Sequence, residues 1–252
     1  MLCAKFIQKS MASKDMYPEL ISRRARQPLA ITLLLILTTL LTPSSAFAQW
    51  TGGIQGGAVI RNGETSNRVR INAANPARPF TQLIYLDWII NDGNDSFELG
   101  YRPRYFFTDS FYGLVELTAR TDDPIGIDRE TTEALGVGVQ YLQNESQQGY
   151  LEVLGGARQL TFTNDILEEQ NEPFSRIRAN YSQLLGDASR FSLDLSGRFS
   201  DVAVESSAEV SVTLNLATFA VTLGYRIISQ NIDGQPNITD DTTTLSFSYR
   251  LQ

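Results

Sequence analysis

From Gln49 onward, apolar and polar residues alternate at period two in almost every segment, and no helical period of useful length appears. Between Arg190 and Ser200, Phe191, Leu193, Leu195, Gly197 and Phe199 share one face, while Ser192, Asp194, Ser196, Arg198 and Ser200 share the other. The stretch from Ala203 to Leu216 repeats the pattern, with Val204, Ala208, Val210, Val212 and Leu214 opposite Glu205, Ser207, Glu209, Ser211 and Thr213. Earlier, Phe97, Leu99, Tyr101 and Tyr105 oppose Glu98, Gly100, Arg102 and Arg104. Near the end, Leu245, Phe247, Tyr249 and Leu251 oppose Thr244, Ser246, Ser248 and Arg250. Segment 80–91 is weaker, because Leu83, Tyr85 and Ile89 interrupt Ile84, Leu86, Trp88 and Ile90. The pattern predicts strands at 49–61, 66–74, 80–91, 95–106, 111–121, 132–143, 148–161, 173–184, 189–200, 203–216, 218–231 and 241–252.

Strands of this length suit a tilted bilayer crossing, which takes about 9 to 11 residues, whereas globular strands average about five or six. The expected fold is therefore all-β: a closed antiparallel transmembrane β-barrel of about twelve strands. The connections agree in kind. Those at 107–110, 144–147, 185–188 and 217 are short, and those at 122–131, 162–172 and 232–240, on the opposite side, read as long and acidic. Asn62-Gly63, Asp92-Gly93, Asp122-Asp123-Pro124, Glu168-Glu169 and Asp233-Gly234 supply turn chemistry there. Aromatic residues near strand ends (Trp50, Tyr105, Phe107, Phe111, Tyr141, Tyr181, Phe191, Phe219, Tyr249) fit an interfacial girdle. A secreted soluble β-sandwich binding protein also alternates and is the competing architecture.

The first 48 residues differ in kind. Arg23, Arg24 and Arg26 precede an apolar run from Leu29 to Leu41, then Pro43 and Ala46-Phe47-Ala48, the layout of a signal peptide cleaved before Gln49. The run is too short for a spanning helix, which needs about twenty residues. The Arg23-Arg24 pair also fits a twin-arginine signal, but Arg26 and Gln27 stand where apolar residues would be expected, which favours the general secretory route. The chain thus divides into 1–48, a signal peptide with its N-terminal extension, and 49–252, the barrel. Export and a barrel together place it in the outer membrane of a Gram-negative bacterium.

Composition then narrows the chemistry. Of 21 basic and 28 acidic residues, six and two fall in 1–48, leaving 15 arginines, no lysine and 26 acids in the barrel segment, with no histidine or cysteine. Such an acidic chain is unsuited to nucleic acid, and nucleophilic catalysis lacks the histidine or lysine base it needs. No Cys/His metal site is available, and the acidic loops lack calcium-ligand spacing. No catalytic residue, metal or cofactor is expected. The strand parities turn Arg68, Arg70, Arg102, Arg104, Glu116, Arg120, Glu152, Arg158, Arg176, Arg178, Asp194, Arg198, Glu205, Glu209, Arg226 and Arg250 toward the lumen, with Glu98 among the inward acids. Six inward acids against eleven inward arginines predict a modestly positive lumen in which cross-lumen ion pairs dominate. Arginines at i, i+2 (Arg68/Arg70, Arg102/Arg104, Arg176/Arg178) could alternatively form a basic ladder for anionic solutes. Paired inward carboxylates leave open a hydrolase that uses acids alone.

The stretch Arg104-Tyr105-Phe106-Phe107-Thr108-Asp109-Ser110-Phe111-Tyr112, with Gly126-Ile127-Asp128-Arg129 and Gly136-Val137-Gly138, resembles the domain-of-unknown-function family of salt-induced outer membrane proteins. Trp50-Thr51-Gly52, Gly56-Gly57, Asn62-Gly63-Glu64-Thr65 and Gly155-Gly156 are similar to the same family. The resemblance implies an outer-membrane barrel of unassigned activity. The ending Tyr249-Arg250-Leu251-Gln252 departs from the terminal aromatic of many such barrels, although Phe247 and Tyr249 keep the last strand aromatic. The expected function is non-enzymatic: structural or stress-related, or a narrow porin-like channel for small anionic solutes. The expected partners are outer-membrane lipid and, during biogenesis, the barrel-assembly machinery and periplasmic chaperones, with the protein itself a monomer.

Overall fold

A computed structural model describes residues 50–251 apart from 62, 92–94, 123–126, 163–168, 202, 217 and 233–236, and describes Ile232, Arg250 and Leu251 as backbone only. The predicted signal peptide, with Ala46, Ala48 and Gln49 at its cleavage site, lies outside the described residues, as do parts of the outer connections.

Twelve antiparallel strands form one closed ring: β1 (Thr51–Arg61), β2 (Glu64–Asn75), β3 (Phe80–Ile90), β4 (Ser96–Phe106), β5 (Phe111–Asp122), β6 (Ile127–Gln143), β7 (Gln147–Phe162), β8 (Gln170–Leu185), β9 (Ser189–Ser200), β10 (Ala203–Leu216), β11 (Phe219–Ile232) and β12 (Ile238–Leu251). Each strand pairs with its sequence neighbours, and β1 closes on β12 from Gly52↔Leu251 to Arg61↔Thr242. Closure satisfies every strand edge within the wall, which a bilayer demands and a sandwich does not provide. The strands tilt. The row Ile54, Ile71, Leu86, Leu99, Ala119, Thr131, followed partner by partner, starts near one end of β1 and arrives near the opposite end of β6.

The outward faces carry the apolar positions. Leu135, Val137, Val153, Ile177, Leu195, Val212, Leu223 and Phe247 are all 42% to 68% exposed, so each strand buries its apolar side chains only if lipid surrounds it. The aromatic positions expected at strand ends lie largely at one end, where β1 starts and β12 finishes: Tyr105, Phe107, Phe111, Tyr141, Phe219 and Tyr249 are exposed there, some in ring contact. The opposite end has a sparser set, Trp88, Phe97 and Phe199.

One expectation needs correction. The connections expected to be long are shorter than expected, because β6, β8 and β12 begin at Ile127, Gln170 and Ile238, inside the segments 122–131, 162–172 and 232–240. Beyond the apolar belt the outward residues turn polar (Arg129, Thr131 and Glu133 on β6, Gln159 and Thr161 on β7, Asn171 and Ser175 on β8), so alternation vanishes while pairing continues. The wall therefore rises above the lipid at that end.

Candidate functional site: the barrel lumen

Closing the sheet turns every second residue inward, so the lumen is written in the register. Row by row, Asp87 meets Arg70 and Glu98; Glu152 meets Arg178; Arg198 meets Arg176 and Glu205; Glu209 meets Asp194 and Arg226. Such rows place charge beside charge, and the long side chains then reach across strands.

The deepest cluster joins β4, β5, β7 and β8. Glu116 is 1% exposed and Glu152 0%. Arg102 spans both, with Nε 3.0 Å from Glu116 Oε2 and Nη2 2.5 Å from Glu152 Oε2. Arg104 Nη2 donates to Glu152 Oε1 at 2.8 Å, and the Tyr112 hydroxyl donates to the same oxygen at 2.8 Å. From the other side Arg176 pairs with Glu116, and Arg178 stands 3.6 Å from it. Two buried carboxylates thus hold four guanidinium groups, whose planar donors suit a dry interior better than an ammonium would. Removing so many charges from water is offset by the ion pairs that every carboxylate oxygen makes, three of the four oxygens being hydrogen-bonded and Glu116 Oε2 held by charge alone.

A second cluster lies toward the polar-walled end. Glu130 accepts from Arg198 at 2.6 Å and from Arg120 at 2.9 Å, with Glu205 3.5 Å from Arg120. Beside it Arg158 pairs with Glu172, both buried. Arg61 bridges Asp122 at 3.0 Å and Asp240 at 2.7 Å. On β2, Arg68 and Arg70 both hold Asp87, Arg70 at 2.6 Å. Asp194 is the loosest of the paired acids, 3.2 Å from Asn180 and 3.8 Å from Arg178. Glu209 and Arg226 face each other on adjacent strands but make no ion pair or hydrogen bond among the described residues. Arg250 is placed only as the backbone partner of Gly53.

Sequence parity missed several members of these networks. Asp87 sits in the blurred strand 80–91, while Glu130 and Glu172 fall in segments read as loops. Continuing the parity of Ala134 and Thr132 to Glu130, and of Phe174 to Glu172, is the signal that would have found them. With these three, Asp122 and Asp240 against the added Arg61 and Arg190, the inner charges come close to balance rather than to a clear cationic excess.

Parity also missed an apolar core inside the barrel. Tyr112, Leu114, Ala134, Leu154 and Phe174 face inward from β5 to β8 and are buried together, with Phe106 packed against them. Their rings connect to the charges: Arg104 lies 5.1 Å from the Tyr112 ring centre, and Arg176 and Arg198 lie 5.6 and 5.4 Å from that of Phe174. Gly138 allows this, because a Cβ there would come within 2.4 Å of the Tyr112 ring. A smaller group, Ile127, Leu160 and Phe162, fills the polar-walled end.

The opposite wall is different. Ser192, Ser196, Ser207 and Ser211 line one side of a cavity of about 320 Å³, whose other sides are formed by Arg70, Glu98, Arg178, Asp194, Glu209 and Arg226 and by Arg120, Glu130, Arg176 and Arg198 of the ion-paired clusters. Among the described residues no three His, Cys, Asp or Glu side chains are grouped to hold a metal ion.

Comparison with solved structures returns membrane barrels. The translocator domain of autotransporter NalP from Neisseria meningitidis superposes with a TM-score of 0.50 at 11% identity, covering 92% of this chain and 98% of that one. KdgM porin gives 0.49 at 8% identity over 79% and 99% of the two chains, and the outer membrane channel DcaP of Acinetobacter baumannii gives 0.46 at 8% over 80% and 96%. Likeness at such identity speaks for the fold alone, a closed antiparallel β-barrel. No curated protein matches the chain in sequence. Residues 90–251, from the last residue of β3 to the end of β12, match the family described as Protein of unknown function, DUF481, and the chain belongs to that family.

Proposed function

We propose that the chain, exported by cleavage of residues 1–48, acts without enzymatic activity as a monomeric outer-membrane barrel that gives small hydrophilic solutes a narrow passive path. The observation that carries this is the polar cavity of about 320 Å³ inside a closed wall, lined by serine hydroxyls and by charges that are not all mutually satisfied. Outer-membrane lipid covers the apolar belt, and the barrel-assembly machinery with its periplasmic chaperones inserts it. Small anionic solutes are the favoured cargo, by a modest margin because the inner charges are nearly balanced. Hydrolysis by lumenal acids is less well supported, since Glu116 and Glu152 are committed to arginines.

Planar-bilayer recording of the purified protein tests the reading. Small unitary steps are expected, with a reversal potential shifted slightly toward anions in a potassium chloride gradient. Absence of steps above background would overturn it in favour of an envelope-stabilising barrel, the reading that the ion-paired and apolar filling of β4–β8 supports.

A further inference from the structure

The lumen is not filled evenly. Along β4 to β8 packing is continuous from mouth to mouth. At the end where β1 starts, Arg78, from the β2–β3 turn, stacks 4.0 Å over the Phe106 ring and donates to Asp109 O at 2.7 Å and to Gln140 Oε1 at 2.8 Å. Phe106 packs on Tyr112 with ring centres 4.9 Å apart, and Tyr112 bonds Glu152. The Arg102, Glu116 and Arg176 contacts lead on to Phe174, Arg198 and Glu130, and Leu160 with Phe162 completes the rib at the other mouth.

Against β9 to β11 the described residues form no apolar rib: Glu205 and Arg198 reach the β5 and β6 charges, while β12 is packed by Gln55 on Ser246, Arg68 on Thr244 and Arg61 on Asp240. Along β9 to β11 hydroxyls and glycine alternate with charged and amide side chains, among them Ser196, Ser207, Ser211 and Gly224 beside Asp194, Glu209 and Arg226. The cavity of about 320 Å³ lies between the serines of β9 and β10 and the charged face of the rib, where Arg120, Glu130 and Arg176 border it; a second of about 70 Å³ shares Asp87, Glu98, Arg120, Glu209 and Arg226 with it while reaching Arg61 and Asp240 at the polar-walled end.

We propose that the lumen is divided lengthwise: water and solutes occupy only a slot between the rib and the serine-lined wall of β9 to β11, and Arg226 sets the charge preference in that slot. The guanidinium of Arg226 borders both cavities and is spent on no carboxylate among the described residues, so it stays available to a passing anion beside the facing Glu209. Passage along the slot rests on the channel reading above; the division of the lumen does not.

Cysteine accessibility tests the division, because Cys3 is the only native thiol. In a Cys3→Ser background, single cysteines at Ser196, Ser207 and Ser211 are compared with cysteines at Thr132 and Leu154, using a small charged methanethiosulfonate reagent on the detergent-folded protein. Heat-modifiable gel migration verifies folding, and Thr132→Cys serves where Leu154→Cys does not fold. The slot positions should react at least roughly a hundredfold faster, since a thiol in the rib reacts only through local opening. Comparable rates at Thr132 and Ser207 would overturn the division. Slow reaction at Ser196, Ser207 and Ser211 together would also overturn it. Fast slot labelling without conductance would instead sink the channel reading and leave the division standing. In a conducting barrel, Arg226→Glu should move the reversal potential toward cations, and an unchanged potential would remove Arg226 from its assigned role.

Discussion

At the residue scale the decisive quantity is the cost of an unpaired charge away from water. Glu116, 1% exposed, is held by Arg102 at 3.0 Å, by Arg176 and by Arg178 at 3.6 Å, so its carboxylate neutralises guanidinium groups that have little other solvation. Glu116→Gln keeps the shape and removes the charge, and it should lower unfolding free energy by about 3 to 5 kcal/mol, the usual penalty for breaking a buried pair. Glu209→Gln, half-buried and without an ion pair, should cost less than about 1 kcal/mol. Urea titrations of the two variants in detergent, followed by tryptophan emission, separate these expectations. Equal costs would mean that the Glu116 cluster is solvated in solution. Alternation placed arginines and carboxylates on a common face, but it could not reveal the partners: Arg102 reaches Glu152 across two intervening strands, and only the tilt of a closed wall brings them together. Nor could it reveal the inward Tyr112, Leu154 and Phe174, because an apolar residue on a polar face reads as noise unless the lumen is known to be partly dry.

At the element scale the strands were legible where both environments were present. β9 and β10 run over 189–200 and 203–216, as their alternation predicts, because lipid on one side and lumen on the other impose the period of two. The starts of β6, β8 and β12 were not legible, because above the lipid the outward face is as polar as the inward one and a paired strand looks like a loop. Strand β7 contains both regimes on its outward face: Val153, 49% exposed, lies in the apolar belt, while Gln159 lies beyond it, opposite Thr131 and Asn171. Arginine on the lipid face costs about 2 to 4 kcal/mol near the midplane and about 0 to 1 near the interface. Val153→Arg should therefore be strongly destabilising and Gln159→Arg nearly neutral in refolding into lipid vesicles. If Gln159→Arg were as costly as Val153→Arg, the belt would extend further up β7 and the wall above the lipid would not exist.

At the scale of the whole molecule, the two ends of the barrel are unlike, and the differences agree on an orientation. The start of β1 and the end of β12 lie at one end, where the connections at 76–79, 107–110, 144–146, 186–188 and 217–218 are two to four residues long and the exposed aromatic residues concentrate. At the other end the connections reach seven residues, at 163–169, and the strands carry polar residues outward past the apolar belt. A barrel inserted from the periplasm leaves its termini and short turns on that side and sends the longer connections outside. The end that bears Arg61, Asp122 and Asp240 then faces the medium, and the mouth capped by Arg78 faces the periplasm. A peptide epitope inserted between β7 and β8 should be reached by antibody on intact cells, and the same epitope between β8 and β9 only after the outer membrane is opened. Surface labelling of the second insertion but not the first would reverse the barrel in the membrane. A reversed barrel would put the crown of paired strands in the periplasm, where outward Arg129 and Glu133 would face soluble partners rather than the exterior.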